Sequence, residues 1–241
     1  MPSTLASRVT VAMAAAILAT GGCAYRFAPE AFKRGMPLAI VTVSSSPQVV
    51  YTETHVVVSG MGQADTRGSG FEAGDAKVVL PATKAAVLRA LSQTRQFRIM
   101  PEETVLSSVA YASAQVESSL ATRNSVAAKG YKLIFDKEQG ARIARAAGAS
   151  GALFVSLEHH YTTQGVPGGR IAGDVIVMLT VVDRSGQIIW TSFTHQLSER
   201  TLDSSSLRVP TSALEPLLVD SAERGTRTLL AKLDERLRAA R

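Results

Sequence analysis

The fold is decided by the stretch VIVMLTVVDRSGQIIWTS at residues 175–192. Two runs rich in β-branched residues flank the turn DRSG at 183–186. This pattern predicts a β-hairpin with arms over 174–182 and 187–195. Gly186 is suited to the left-handed conformation that a bulged hairpin connection requires.

The side chains of this hairpin alternate between two apolar faces. One face carries Val175, Val177, Leu179 and Val181, and the other carries Ile176, Met178 and Thr180. We therefore expect burial on both faces. Ile189 and Trp190 are adjacent, so we expect them on opposite faces. A buried Trp190 would belong to the core and an exposed one would be a binding anchor, and the two apolar faces favour the core.

The remaining pattern predicts an α/β domain, a mixed sheet with packed helices. Further strands are predicted at 37–43, 96–100 and 152–160, and helices at 82–94, 137–147 and 217–239. The second helix has Asp136 as its N-cap, with Gln139 three residues later, and Gly148 as its C-terminal cap. The last helix is amphipathic, which fits packing on the sheet, partner docking or contact with a membrane surface.

Two inserts interrupt this order, near residues 44–80 and 101–135. In the first, the sequence SSSP at 44–47 is expected to end the strand, and a strand-like run follows at 49–58. The glycine-rich stretch at 60–74 is expected to be a mobile loop. In the second insert, the apolar residues have helical spacing, but the many serines predict only a weak helix.

Three segments resemble, in their chain order, a known group of periplasmic domains. AVLRALSQTRQFRIM at 86–100 resembles the helix and strand of that group. GARIARAAGA at 140–149, followed by GALFVSLEH at 151–159, resembles its LGA-x-x-hydrophobic-x-G segment. The hairpin at 175–192 resembles its D-x-x-[ST]-G-x-hydrophobic-x-W turn.

The group is the α/β domain shared by curli-secretion lipoproteins, lipoprotein activators of penicillin-binding proteins and the N-terminal domain of the Tol-system β-propeller protein. The resemblance implies a fold similar to the anticodon-binding domain of class II synthetases. It also implies a non-enzymatic protein, since members of this group act by binding or assembly. The two inserts depart from the pattern of the group, so the resemblance singles out no subfamily.

The N-terminus resembles an export signal that ends in a lipidation site. Residues 1–22 contain one basic side chain, Arg8, followed by a short apolar run, which is typical of a signal peptide. The run ends in ATGGCA, similar to a bacterial lipobox, although Thr20 stands where leucine is usual. Lipidation would also explain why Cys23 is the only cysteine in the chain. Cleavage after Ala24 is the alternative, and its product would be a soluble protein.

The predicted organisation is a signal peptide at 1–22, a lipid-anchored tether at 23–36 and a periplasmic α/β domain at 37–241. Ala24 follows the lipidated cysteine where aspartate would signal retention in the inner membrane. We therefore expect the protein at the outer membrane, on its periplasmic face. Its net charge of +6 falls to +5 without residues 1–22, which fits a solvated surface or attraction to anionic polymers and lipids.

The sequence offers no recognisable catalytic or metal-binding constellation. Its histidines are His55, His159, His160 and His195. His159 and His160 are adjacent on a predicted strand, so they point to opposite faces and cannot readily chelate one metal ion. Adding His195 would give two ligands, whereas zinc sites use three or four protein ligands. We therefore assign no catalytic residue, metal or cofactor.

These observations predict a non-enzymatic envelope lipoprotein that binds or helps assemble other envelope components. Its expected partners are the membrane, through the lipid on Cys23, and an envelope protein or a peptidoglycan-associated partner. Nucleic acid is excluded as a partner because the basic residues are scattered and no aromatic residues interleave with them. The oligomeric state is left open. The alternative function is that of an exported hydrolase whose site is assembled from distant residues.

Overall fold

The computed structural model describes residues 27–52, 54–59, 62–67, 71–116, 118–164, 169–203 and 208–240. The strands are β1 (Met36–Tyr51), β2 (Thr54–Ser59), β3 (Gly62–Arg67), β4 (Glu72–Asp75), β5 (Phe97–Ile99), β6 (Val126–Ala127), β7 (Gly151–Gln164), β8 (Arg170–Asp183) and β9 (Ile188–Asp203). The helices are α1 (Leu80–Ser92), α2 (Glu102–Leu106), α3 (Val109–Ala112), α4 (Leu120–Arg123), α5 (Lys137–Ala146) and α6 (Thr211–Ala239). The predicted signal peptide and the predicted lipidation site at Cys23 lie outside these residues.

One mixed sheet organises the domain, in the order β4-β1-β7-β8-β9. β1 runs parallel to β7 and to β5, whereas its pairings with β4 and β6 are antiparallel. β7, β8 and β9 form an antiparallel meander. The predicted class, a mixed sheet with packed helices, is confirmed. β2 and β3 form a separate two-stranded sheet.

Helices cover the two faces of the sheet unequally. One face, called the inner face, packs against α1 and α6 and holds the larger core cluster, which includes Val177, Leu179, Leu157 and Leu229. The opposite face, called the outer face, packs against α5, α2 and α3. Its smaller cluster includes Ala152, Phe154, Val182 and Ile143. The apolar stripe of α6 thus packs on the sheet, which was the first of the three interpretations of that helix given above.

Local signals at the ends of α5 and at the β8–β9 turn act as predicted. The Asp136 carboxylate accepts a hydrogen bond from the Gln139 backbone N–H at 2.5 Å. Gly148 has φ +79° and ends α5, and Gly186 has φ +88° in the hairpin turn. In that turn the Asp183 carboxylate accepts hydrogen bonds from backbone N–H groups of Ser185 and Gln187, at 2.8 and 3.0 Å. The two predicted elements are confirmed.

The first insert is more ordered than predicted. The expected strand break at 44–47 is wrong, since β1 continues through these residues to Tyr51. The pairing of β1 with β7 shifts register between Ser45 and Val49, and this irregularity accommodates Pro47. The expected mobile loop at 60–74 instead contains β3 and β4, while residues 60, 61 and 68–70 lie outside the described ones.

The second insert forms short elements in place of one weak helix. It contains α2, α3, α4 and the two-residue strand β6. The break after α2 is stabilised by Ser108, whose hydroxyl accepts a hydrogen bond from the Tyr111 backbone N–H. The last helix of the domain is also longer than predicted, since α6 begins at Thr211 and not at 217.

Trp190 and Ile189 are both buried in the inner core, so the expectation of opposite faces is wrong. Val181 pairs with Trp190 and Val182 pairs with Ile188, which leaves Ile189 as an extra residue in β9. Such a bulge breaks the alternation of faces. The preference for a core Trp190 is confirmed, since its exposed fraction is 1%.

The first described residues pack on the domain. Phe27 forms an antiparallel bridge with Trp190, and the Ala28 N–H donates a 2.8 Å hydrogen bond to the Ile189 carbonyl. A 3-10 turn at Pro29–Ala31 then leads into β1. The part of the tether from residue 27 onward therefore contacts the domain.

Candidate functional site

The outer face of the sheet is uncovered over the middle of β8 and β9. Met178, Phe193 and Leu197 point outward there, with exposed fractions of 42%, 44% and 38%. Met178 and Phe193 are register partners on neighbouring strands. We call Ile176, Met178, Phe193 and Leu197 the open sheet face. Exposed apolar side chains that cluster are typical of an interaction site, whereas isolated ones are ordinary.

Polar and titratable side chains border this face. His195 Nε2 lies 2.7 Å from Asp174 Oδ1, and the Asp174 carboxylate is almost fully buried. His160 Nδ1 lies 3.3 Å from the Thr52 hydroxyl, and His160 Nε2 lies 3.6 Å from Glu158 Oε2. Two imidazole–carboxylate pairs therefore line the edge of the apolar centre and give the open sheet face a polar rim.

The rim does not assemble into a recognisable catalytic group. A His–Asp pair serves hydrolysis when the imidazole also reaches a nucleophilic hydroxyl or thiol. Within the described part of the chain, no hydrogen bond joins His195 to such a group. Over the same residues, no set of three or more His, Cys, Asp and Glu side chains is placed to hold a metal ion.

His159 is adjacent to His160 on β7, and its side chain points to the inner face, into the core. The two histidines therefore point to opposite faces of the sheet, as predicted. His159 is fully buried, with Nδ1 2.9 Å from the Ser45 hydroxyl and Nε2 3.0 Å from the Thr83 hydroxyl. Burial, with a smaller contribution from His160, lowers the pKa of His159 to about 4. His159 is thus a neutral side chain that joins β1, β7 and α1. His55 lies on β2, in the separate two-stranded sheet.

A shallow groove lies at the end of the sheet near β4. It encloses about 480 Å³ and is lined by Pro47, Gln48, Glu72 and Lys77, among others. Its carboxylates are engaged, because Gln48 donates a 2.5 Å hydrogen bond to Glu72 and Asp75 accepts one from the Lys77 backbone. The groove therefore offers no free acid–base pair.

Sequence reasoning missed the open sheet face because it expected burial on both sides of the hairpin. That expectation is wrong for Met178, which is 42% exposed, and only partly met for Ile176 and Thr180. The missed signal is the polar residues on either side of Phe193 on the same face of β9, namely Thr191, which pairs with Thr180, and His195, which pairs with Ile176. None of the helices in the described residues combines the length and apolar character that crossing a bilayer needs.

Comparison with known proteins adds a few distant structural neighbours. No family model matches the chain, and no curated protein does. The LpoB C-terminal domain from Salmonella enterica is 14% identical at a TM-score of 0.33, covering 76% of this chain and 90% of that one. The same domain from Escherichia coli is 15% identical at a TM-score of 0.32, and the alignment covers 76% of this chain and 92% of that one.

A third similar structure is the hypothetical protein CT253 from Chlamydia trachomatis. It is 11% identical at a TM-score of 0.40, and the alignment covers 86% of this chain and 99% of that one.

Proposed function

We propose that the protein is a non-enzymatic bacterial envelope lipoprotein, anchored at the outer membrane through Cys23, whose periplasmic α/β domain binds another envelope protein. The single observation that carries the binding role is the open sheet face. Helices cover the inner face and part of the outer face, yet three large apolar side chains stay exposed on the outer face of β8 and β9. The lipobox-like end of residues 1–22 supports the anchor.

A protein is the occupant that suits the open sheet face. Methionine and aromatic side chains are enriched in protein–protein interfaces, and charged groups concentrate at their rims. The face meets these conditions, with Met178 and Phe193 at the centre and Glu158 and His195 at the edge. β9 is also an edge strand, so an extended segment of a partner can add to it.

The hydrolase alternative requires a cleft with convergent titratable groups. In the His195–Asp174 pair the carboxylate is almost fully buried, and no described nucleophilic group is hydrogen-bonded to the imidazole. The groove near β4 has its carboxylates engaged. No specific observation therefore favours this second function.

Charged substitutions on the open sheet face should abolish partner binding without unfolding the domain. Met178→Glu and Phe193→Glu alter side chains that are 42% and 44% exposed, so we expect moderate losses of stability, about 1 kcal/mol, that leave the domain folded. At the centre of an interface each should weaken binding by more than roughly tenfold. The measurement is photo-crosslinking in intact cells from a probe at Leu197, with the captured protein identified by mass spectrometry.

Val78→Glu is the matched control, since Val78 is an equally exposed apolar residue, at 51%, in the 3-10 turn before α1. The control should keep the crosslink. Equal crosslinking in all three variants would show that the open sheet face is not the binding site.

The lipid anchor predicts a defined mass for the mature protein. Intact-mass spectrometry should show a diacylglyceryl adduct on Cys23, and fractionation should place the protein in the outer membrane. The variant Cys23→Ser should lose membrane attachment. An unmodified N-terminus at Tyr25 would contradict the anchor and identify the protein as a soluble export product.

A further inference from the structure

The distance between the proposed anchor and the folded domain is short. The chain is fixed at Phe27 by its bridge to Trp190 and by the hydrogen bond from Ala28 to Ile189. Phe27 lies four residues after Cys23 in the sequence. Four residues reach at most about 14 Å however they are arranged, since an extended chain spans roughly 3.3–3.6 Å per residue. The lipid therefore holds this end of the domain beside the membrane.

Exposed basic side chains surround the point at which the chain enters the domain. They are Lys33, Arg34, Arg95, Arg236 and Arg238, which we call the basic pole. The Arg236 guanidinium lies 5.9 Å from the centre of the Phe27 ring. The Gly35 N–H donates a 2.9 Å hydrogen bond to the Gln96 carbonyl, which places Arg34 beside Arg95. The Gln96 side chain in turn contacts Asp234, in the last turns of α6.

The five basic residues of the pole outnumber the acidic residues of the same segments, and the β8–β9 turn at this end of the sheet adds one residue of each sign, Asp183 and Arg184. The acidic residues of those segments are Glu30, Asp234 and Glu235. Asp234 is already engaged by Gln96 and by Arg238. The pole thus keeps an excess of positive charge, and Arg26 adds to it in the sequence just before Phe27.

We propose that the domain rests on the anionic headgroups of its membrane through the basic pole, an inference that builds on the anchoring at Cys23 proposed above. Basic residues near an anionic membrane surface are attracted over about one Debye length, roughly 8 Å at physiological ionic strength. A tether of at most about 14 Å lets the pole approach the surface to within that range. Lipid and basic surface together form the two-part attachment that stable membrane association requires.

This attachment also orients the domain. The strands of the meander and α6 extend from the pole to the opposite end of the domain. The 29 residues of α6 span about 43 Å. The opposite end of the sheet, with β4 and the start of α6, then points into the periplasm. The open sheet face stands upright between the two ends, where a protein partner can reach it.

The test uses the mature chain from residue 23 with Cys23→Ser, so that only the protein surface can bind lipid. The probe is co-sedimentation with vesicles of phosphatidylglycerol and phosphatidylcholine in equal amounts, and with vesicles of phosphatidylcholine alone. We expect binding to the anionic vesicles at low ionic strength and its loss in 1 M salt, where the Debye length is about 3 Å. Binding to the neutral vesicles should be absent.

Three substitutions that each remove a positive charge test whether the basic pole is the surface that binds lipid. Arg34→Gln, Arg95→Gln and Arg236→Gln together should weaken partitioning by roughly 100-fold, about fivefold for each charge. The control triple is Lys77→Gln, Arg170→Gln and Arg200→Gln, exposed residues toward the other end of the sheet. It changes the net charge equally and should have a much smaller effect.

Equal weakening by the two triples, or binding that ignores lipid charge and salt, would overturn the proposal. These outcomes are independent of the anchor, because the tested chain carries no lipid and the mass of the native protein reports lipidation separately. A negative vesicle experiment would thus count against the basic pole and not against the proposed anchor. A missing lipid adduct would count against the anchor and not against vesicle binding by the basic pole.

Discussion

Replacing Trp190 with alanine should lower the free energy of unfolding by about 3–5 kcal/mol, the usual cost of truncating a buried aromatic side chain. Trp190 is 1% exposed and is among the largest fully buried side chains of the described residues. It lies in the inner core and faces Phe27 across the bridge that fixes the start of the domain. The truncation therefore leaves a large cavity where the N-terminal segment joins β9.

The loss is measurable by urea denaturation followed by far-UV circular dichroism, because the substitution removes the only tryptophan. Trp190→Phe keeps most of the apolar volume and should cost clearly less than the alanine variant. In the unsubstituted protein the tryptophan emission should be blue-shifted and protected from quenchers. A red, readily quenched emission together with a small cost for the alanine variant would contradict the buried position.

Acidification should destabilise the domain through His159. The pKa of this imidazole is about 4 in the folded protein and about 6.5 in an unfolded chain. Below pH 6.5 the unfolded chain takes up a proton that the folded protein does not bind until about pH 4. Stability therefore falls as the pH drops through this window, and the full loss is about 3 kcal/mol. Above pH 6.5 the effect is absent.

The variant His159→Gln isolates this contribution, since glutamine can still bond to a neighbouring hydroxyl but does not titrate. Its absolute stability is lower for other reasons, so the comparison is between the slopes of unfolding free energy against pH. The variant should show a shallower slope between pH 6.5 and 4 than the parent protein. Identical slopes would show that the Ser45–His159–Thr83 contacts carry no protonation penalty.

Local signals made the hairpin and α5 predictable from sequence. Asp136, Gly148 and Gly186 each fix a backbone feature through contacts within a few residues, so the chain around them contains the whole cause. The order of strands and helices followed from such elements. The mixed class of the sheet could therefore be predicted from the sequence, whereas the pairing of distant strands could not.

The misses share a non-local cause. Residues 44–47 look like a break by themselves, yet β7 pairs with Ser44 and Ser45 and again from Val49 onward, so the strand continues past Pro47. Ile189 enters the inner core because the pairing with β8 absorbs an extra residue, which alternation alone does not reveal. The open sheet face depends on how far α5 extends over the outer face, and only the assembled domain fixes that coverage.

The pairing of β1 with β7 has a consequence for how the chain reaches its folded state. The Ser44 hydroxyl and the Val155 carbonyl to which it donates are 111 residues apart. Closing such a long loop is entropically costly, and sheets built on distant pairings fold slowly. The meander of β7, β8 and β9 needs only short connections, so it is the natural nucleus and β1 joins last. Until then the apolar run of β1 is unpaired near the N-terminus of the domain, where another polypeptide or a chaperone could bind it.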